Sequence, residues 1–334
     1  MKVSIVMPIY GVTDYVECCL ESVMAQTYND IECIIVDDAS PDDSIVKCEK
    51  MIASYRGSIK FSILHHEHNR GLSAARNTGT KAAVGDYVFY LDSDDKISST
   101  CIENLLNPVL KNPSIEIVMG RINHFPVASQ QRKVFTDQEF KSLEAVRDYA
   151  FGKKGYAVYS WNKLIRRDFL VKNQLFFQEG LLWEDLLWNF YLLKVLHHLY
   201  VISDVTYYYR TRPHSISTGT HRAVKCRSLD IIYETIADNL TEEDWGREAK
   251  YHYKGFQGYF IRNLRKPEAV VRAKRFKETL AEEHSSKEIR NLCILLWLSK
   301  TMLGRALVSN ALKIRDKYLD AKIKNYKCHM ETYQ

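Results

Sequence analysis

The sequence predicts an α/β fold, a mostly parallel sheet flanked by helices, with a helical region at the C-terminal end. Three observations carry this. Between residue 3 and about residue 120, apolar runs of strand length alternate with segments that are apolar at helical spacing, as in strand–crossover–strand units. Several of those runs stop at Tyr10, at Asp37 and Asp38, or at Asp92 and Asp94, and ligands of open parallel sheets collect at such strand ends. From about residue 221 onward the pattern is helical throughout. The organisation expected is therefore a catalytic domain over 1–220, with a ligand-binding half (1–120) and a second half (121–220), followed by a helical region over 221–334.

In chain order, Val3–Pro8, Ile31–Asp37, Lys60–His65, Tyr87–Asp92 and Ile115–Met119 read as strands. Between the first two, Val16, Cys19, Leu20, Val23 and Met24 share one helical face, and Asp14 and Glu17 have capping-box spacing. A second helix follows Ser40–Asp43, with Ile45, Cys48 and Ile52 on one face. A third spans about Ser73 to Ala83 and is stopped by Gly85. After about residue 120 the alternation fades into a mixed segment rich in aromatic residues, including Gly155–Trp161 and Tyr207–Arg210.

With 334 residues and 46% hydrophobic content, the chain can bury one large core or two unequal ones, and it does not have the composition of a disordered protein. Its eight cysteines lack CxxC spacing, so buried free thiols and a reducing cytoplasm are expected. The apolar run after Lys2 is short and contains Pro8, which fits a buried first strand better than a secretion signal. The longest apolar run elsewhere, Leu292–Leu298, is far below the roughly 20 residues needed to cross a bilayer. The net charge of +6 hides an asymmetry, −6 over residues 1–100 against +7 over residues 287–328.

The sharpest local signal is Tyr87–Asp95, an apolar run that ends in Asp92, Asp94 and Asp95. Carboxylates this close repel one another unless a cation or hydrogen-bond donors compensate them. A carboxylate donor set suits hard cations, Mg2+ or Mn2+, which commonly share their coordination shell with substrate phosphates. An EF-hand reading fails because Lys96 and Ile97 replace a needed ligand and the glycine.

Taken together and in order, Ser4–Gly11, Ile31–Ser44, Asn69–Gly79, Tyr90–Asp95 and Leu181–Trp188 resemble the inverting family 2 glycosyltransferases of the GT-A fold. The resemblance is dense over residues 3–104 and thinner over 155–217. It implies a UDP-sugar site that takes in Pro8, Ile9, Tyr10, Asp38, Gly71, Arg76, Asp92 and Ser93. Tyr10 would lie against the base, Asp38 would accept from the uracil ring, and Gly71 and Arg76 would face the diphosphate. Asp92 would touch the ribose and, with Asp94, hold Mn2+ or Mg2+, which offsets charge on the departing UDP. By the same resemblance Asp185 is the general base, with Trp183 and Glu184 toward the acceptor. Arg210, Arg212 and His214 belong to a segment that closes on the diphosphate, and His214 is a candidate third metal ligand.

Plainer readings stand beside these. A tyrosine at a strand end can be packing, Asp37 or Asp38 can cap the following helix, Arg76 can be solvated, and Asp95 can cap a helix near Ser98. Acidic residues in a first helical turn are favoured by the dipole alone. Near the C-terminus, Ile289, Leu292, Leu296, Leu303 and Leu307 can share a face of a basic helix, which fits either an anionic membrane surface or packing on the catalytic domain.

The function expected is transfer of a hexose or N-acetylhexosamine from a UDP-sugar to a hydroxyl of a glycan acceptor. That acceptor would be lipid-linked, for instance to undecaprenyl, with the enzyme cytoplasmic or on the inner face of the membrane and the product a bacterial surface polysaccharide. No nucleic-acid partner is expected. The alternatives are a sugar-nucleotide or glycan-binding scaffold without turnover, and a sugar-nucleotide pyrophosphorylase. The second would need a glycine-rich loop near the amino terminus, where Gly11 stands alone.

Overall fold

The computed structural model describes residues 1–125, 136–152, 156–211 and 222–241, with Asp244, Gly255, Phe256, Tyr259 and Asn263 beyond them. The chain divides into two compact units, Met1–Ser228 and Leu229–Gln334. The readings of Arg212, His214 and the basic segment 287–328 lie outside the described residues. Among the described residues no helix is long and apolar enough to cross a membrane.

The strands are β1 (Val3–Ile9), β2 (Ile31–Asp37), β3 (Lys60–His65), β4 (Tyr87–Tyr90), β5 (Lys96–Ile97), β6 (Ile117–Phe125), β7 (Gln138–Phe140), β8 (Lys163–Arg166) and β9 (Leu199–Arg210). The helices are α1 (Val16–Met24), α2 (Ser44–Ser54), α3 (Leu72–Ala82), α4 (Cys101–Lys111), α5 (Leu143–Phe151), α6 (Arg167–Lys172), α7 (Glu184–Leu192) and α8 (Arg222–Asn239). One sheet runs β3-β2-β1-β4-β8-β6-β9-β5, with β7 also paired to β9.

From β3 to β4 every pairing is parallel, as the alternation in the sequence predicts. Beyond β4 the sheet is mixed, because β8 enters antiparallel between β4 and β6 while β6 and β9 pair in parallel. The fold class expected from the sequence therefore holds, and the mostly parallel description applies to its first four strands.

Strand β1 is buried along its whole length between β2 and β4, which explains its near-continuous apolar run. Pro8 is tolerated in this central strand because the β4 ladder ends at the Val6 and Tyr90 pair, so its missing N–H interrupts no pairing there. Helix α1 buries Val16, Cys19, Leu20 and Val23, the face read from the sequence. The Asp14 and Glu17 capping box does not form: the cap position is Tyr15, without a side-chain cap bond. Helix α3 lies close against β1 and β2 because Gly79 has no Cβ; one built there would stand 2.3 Å from Val6 Cγ1. Cys19, Cys33, Cys48 and Cys101 are buried free thiols, in line with the sequence reading, and Cys18 and Cys226 are free and partly buried.

Candidate functional site

Because β1, β2 and β4 run parallel, their carboxyl ends share one edge of the sheet. Tyr10 leaves β1 there with 50% of its surface exposed, while Pro8 and Ile9 are buried in the core. The part left to Pro8 and Ile9 is to place Tyr10 and Asp38 side by side, and the Asp38 N–H donates to the Ile9 carbonyl at 3.0 Å. Residues of the β2–α2 connection hold the loop after Tyr10. Gly11 N–H donates to Ser40 Oγ (2.9 Å), Val12 N–H to Ser44 Oγ (3.1 Å) and Thr13 N–H to Asp42 Oδ2 (2.9 Å). Gly11 has φ +63°, with nothing crowding a Cβ there, so the backbone angle is what calls for glycine.

The adjacent aspartates divide their work. Asp37 Oδ1 accepts from Ser40 N–H at 2.8 Å and closes the local turn. Asp38, 3% exposed, does not cap α2 and instead reaches the next crossover. Its Oδ1 accepts from Arg70 N–H (2.8 Å) and its Oδ2 from Gly71 N–H (2.7 Å). Its Oδ1 also lies 2.7 Å from His66 Nδ1, and His66 Nε2 lies 2.9 Å from Thr78 Oγ1. Asp38 thereby fixes the start of α3, whose cap position is Gly71 at φ 89°. His66 escaped the sequence reading because a histidine pair without metal spacing carries no signal. Its one clue was its place just after β3.

Arg76, one turn into α3, is 1% exposed. Its Nη2 donates to Asp92 Oδ1 at 2.8 Å, and its Nη1 donates to Glu184 Oε1 at 2.6 Å and Asp185 Oδ1 at 3.3 Å. Its guanidinium carbon lies 5.2 Å from the Phe177 ring centroid. Burial alone would favour losing the proton, but Asp92, Asp185 and Glu184 outweigh it and raise the pKa, so the charge is locked in place. The solvated-arginine reading is thus wrong. Arg76 joins the acids, with Nη2 on Asp92 and Nη1 on Glu184 and Asp185.

After β4 the chain turns through Leu91–Asp95. Asp92 and Asp94 are partly exposed, whereas Ser93 and Asp95 are buried. Asp95 is not a helix cap. It accepts from Tyr207 Oη at 2.8 Å and from Arg210 N–H at 2.6 Å, and Arg210 Nε donates to the Asp94 carbonyl at 2.8 Å. Tyr207 Oη also accepts from Asp92 N–H at 3.2 Å. The end of β9 thus fastens the acidic turn. Burial, reinforced by Asp94 and Asp92, pushes Asp95 up to about 8, which suits a carboxyl retained for structure.

Helix α7 supplies the remaining acids. Its cap residue, Trp183, sits in the left-handed region (φ 58°), a strained conformation for a bulky residue. The first helical positions are Glu184 and Asp185, whose side chains are 7% and 19% exposed. Burial, and next the charge of Asp185, pushes Glu184 up to about 7. Asp185 is also raised, by burial first; Arg76 opposes that shift and Asp92 adds to it. One turn on, Asn189 Nδ2 donates to the Asp185 carbonyl at 2.8 Å and to the Val158 carbonyl, while Tyr156 Oη donates to Asn189 Oδ1 at 2.7 Å. Beneath this segment Lys163, 0% exposed, donates to the carbonyls of Ala157 (2.8 Å) and Tyr159. The aromatic residues form a ladder in which Trp161 is stacked between Tyr159 and Tyr207.

Six residues expected at the site are thus tied together: Arg76 joins Asp92, Glu184 and Asp185, and Asp38 holds the Gly71 start of the same helix. Asp92 and Asp94 share one turn and offer hard oxygen donors, and no cluster of three or more potential metal ligands occurs among the described residues. That donor set fits a hard divalent cation whose other positions are filled by phosphate oxygens and water.

The family model for glycosyl transferase family 2 matches residues 4–172. The chain is 30% identical over 242 residues to the uncharacterized glycosyltransferase EpsJ of Bacillus subtilis, covering 70% of this chain and 67% of that protein. It is 27% identical over 265 residues to the cholesterol galactosyltransferase of Borreliella burgdorferi, covering 76% and 72%. Among solved structures, S. aureus TarS 1–349 in complex with UDP-GlcNAc superposes with a TM-score of 0.67 at 19% identity, covering 94% of this chain and 92% of that one, and so shares its fold. The ordered motifs, the acid-bearing sheet edge and the match over half the chain lead to one conclusion: the chain belongs to glycosyl transferase family 2.

Proposed function

We propose that the protein transfers one sugar from a UDP-sugar to a hydroxyl of a glycan acceptor, with inversion at the anomeric carbon. The observation that carries this reading is the Arg76 cluster, which sets the acid nearest the proposed donor site, Asp92, and the proposed base, Asp185, on one guanidinium. The donor assignment draws support from the structural neighbour in complex with UDP-GlcNAc. A role in bacterial surface polysaccharide assembly draws support from a 40% identical stretch of 106 residues shared with the minor teichoic acid biosynthesis protein GgaB of Bacillus subtilis.

In this reading Tyr10 offers its exposed ring to the base, and Asp38 keeps the Arg70–Gly71 backbone in place beside it. Asp92 and Asp94 would hold Mn2+ or Mg2+, which supplies Lewis-acid stabilisation of charge on the leaving diphosphate. Arg76 holds Asp185 in a fixed rotamer from below, and Glu184 shares that anchor. Asp185 then takes the proton of the acceptor hydroxyl as it attacks from the face opposite the leaving group. The raised pKa of Asp185 suits this, since a carboxylate that binds its proton more tightly is a stronger base. The +7 charge over residues 287–328 supports a peripheral contact with anionic membrane and hence a lipid-linked acceptor.

The test is release of UDP from a panel of UDP-sugars, with Mn2+ or Mg2+, in the presence and absence of glycan acceptors. Acceptor-stimulated release supports the reading. UDP affinity without release under any condition would instead mark a binding scaffold.

A further inference from the structure

A cleft of about 450 Å³ opens between α4, β7 and the first half of β9, and it shares no residue with the acid cluster. Asn104, Asn107 and Lys111 reach it from α4, at spacings that put them on one stripe of that helix. Tyr200, Ile202 and Asp204 reach it from alternate positions of β9. The volume falls within the range of about 300–1,000 Å³ common for small-molecule sites.

Part of its polar wall is already partnered within the protein. Asp137 Oδ1 accepts from Ser203 N–H at 2.8 Å. Glu139 is held between Lys141 (3.0 Å) and His198 (2.9 Å), and Asn112 Oδ1 accepts from the Ser114 hydroxyl at 2.7 Å. Groups positioned this way lose little freedom when a ligand arrives.

The mixture of charges selects the ligand class. An anion would meet the carboxylates of Asp137, Glu139 and Asp204, and a cation would meet the ammonium groups of Lys111 and Lys141. A neutral polyhydroxyl compound finds both donors and acceptors, since each asparagine amide supplies both. Tyr200 adds a ring edge or face for the C–H side of a sugar.

We propose that this cleft is a second saccharide site, which holds sugar units of the acceptor glycan remote from the hydroxyl that reacts. The assignment of those units to the acceptor rests on the glycosyl-transfer reading above. Strand β9 runs from the cleft at Tyr200 to the acidic turn at Tyr207, roughly 20 Å of extended backbone. An acceptor of several sugars held at both ends gains occupancy at the acids through the raised effective concentration of its reactive end.

The experiment is saturation-transfer NMR on the full chain with a panel of neutral oligosaccharides: chitotriose, maltotriose, cellotriose and lactose. UDP affinity is measured in the same samples. At least one oligosaccharide is expected to receive saturation, with the signal retained in Asp185→Asn and reduced at least fivefold in Asn107→Leu/Asp204→Leu, whose UDP affinity stays normal. No signal from any oligosaccharide, a signal unchanged in the double variant, or displacement of the sugar by inorganic phosphate overturns the proposal. A wild-type chain that fails to bind UDP would count against the donor reading and leave the saccharide result readable by itself. Because Asn107 and Asp204 are both exposed, a second variant, Lys111→Glu/Asn104→Ala, guards against local misfolding and is expected to give the same loss.

Discussion

Arg76 and Glu184, 108 positions apart in the chain, meet at 2.6 Å with both side chains buried. No local pattern announces that pair. It exists because Gly79 lets α3 press against β1 while the left-handed Trp183 starts α7 over the same spot. The outcome is a buried cation that holds acids from two distant segments.

Removing that cation should be costly. Arg76→Ala leaves Asp92, Glu184 and Asp185 without their shared partner, and breaking a buried ion pair by deleting one member typically costs about 3–5 kcal/mol. Urea denaturation should show a loss of that size, together with loss of UDP-sugar binding. Arg76→Lys should recover only part of it, because an ammonium cannot spread two nitrogens over three carboxylates. Wild-type stability in Arg76→Ala would mean the cluster is dispensable.

Asp94→Ala is expected to abolish the increase in UDP affinity that Mn2+ gives the wild type, while affinity without metal changes little. Titration calorimetry with and without Mn2+ reads this directly. An equal metal-induced gain in the variant would remove Asp94 from the metal site.

Tyr207→Phe deletes a hydroxyl that donates to buried Asp95 and accepts from Asp92 N–H. The expected loss is about 1–3 kcal/mol, the cost of leaving buried polar groups unsatisfied. Weakened metal-dependent UDP binding should accompany it, since Asp92 and Asp94 sit on the turn that Tyr207 fastens. A thermal melt and a binding isotherm on the same variant check both parts.

Lys163 gives a pH signature. Burial lowers its folded-state pKa to about 7 from an ordinary 10.5, with Asp185 opposing the shift. Between those values the unfolded chain binds the proton and the folded chain does not, so this group makes stability rise with pH. Below about pH 7 the amine is charged in both states and the slope from this group ends. Wild-type stability measured from pH 7 to 9 should therefore climb relative to Lys163→Met. A constant difference between the two proteins across that range would contradict the shift.

Much of this arrangement was legible from the residues. The parallel strands could be read because each is a short apolar run that ends abruptly, and α1 because its apolar spacing is regular. The capping box at Asp14 misled because the loop before α1 is bonded to Ser40, Asp42 and Ser44, a tertiary effect that moves the helix start to Val16. Strand β8, four residues long and inserted antiparallel, has too short a pattern to declare itself. The acids at the site could be named from motif order. The roles of Arg76, Asp95 and His66 could not, because each is set by a partner from elsewhere in the chain.

Asp185→Asn tests the central claim most directly, with UDP release from the preferred UDP-sugar and UDP affinity measured side by side. The account predicts affinity within about twofold of wild type and acceptor-dependent release lowered by at least about 100-fold, within the range general base catalysis supplies. Release near the wild-type rate would show that another group activates the acceptor and that the Arg76 cluster does not hold the base.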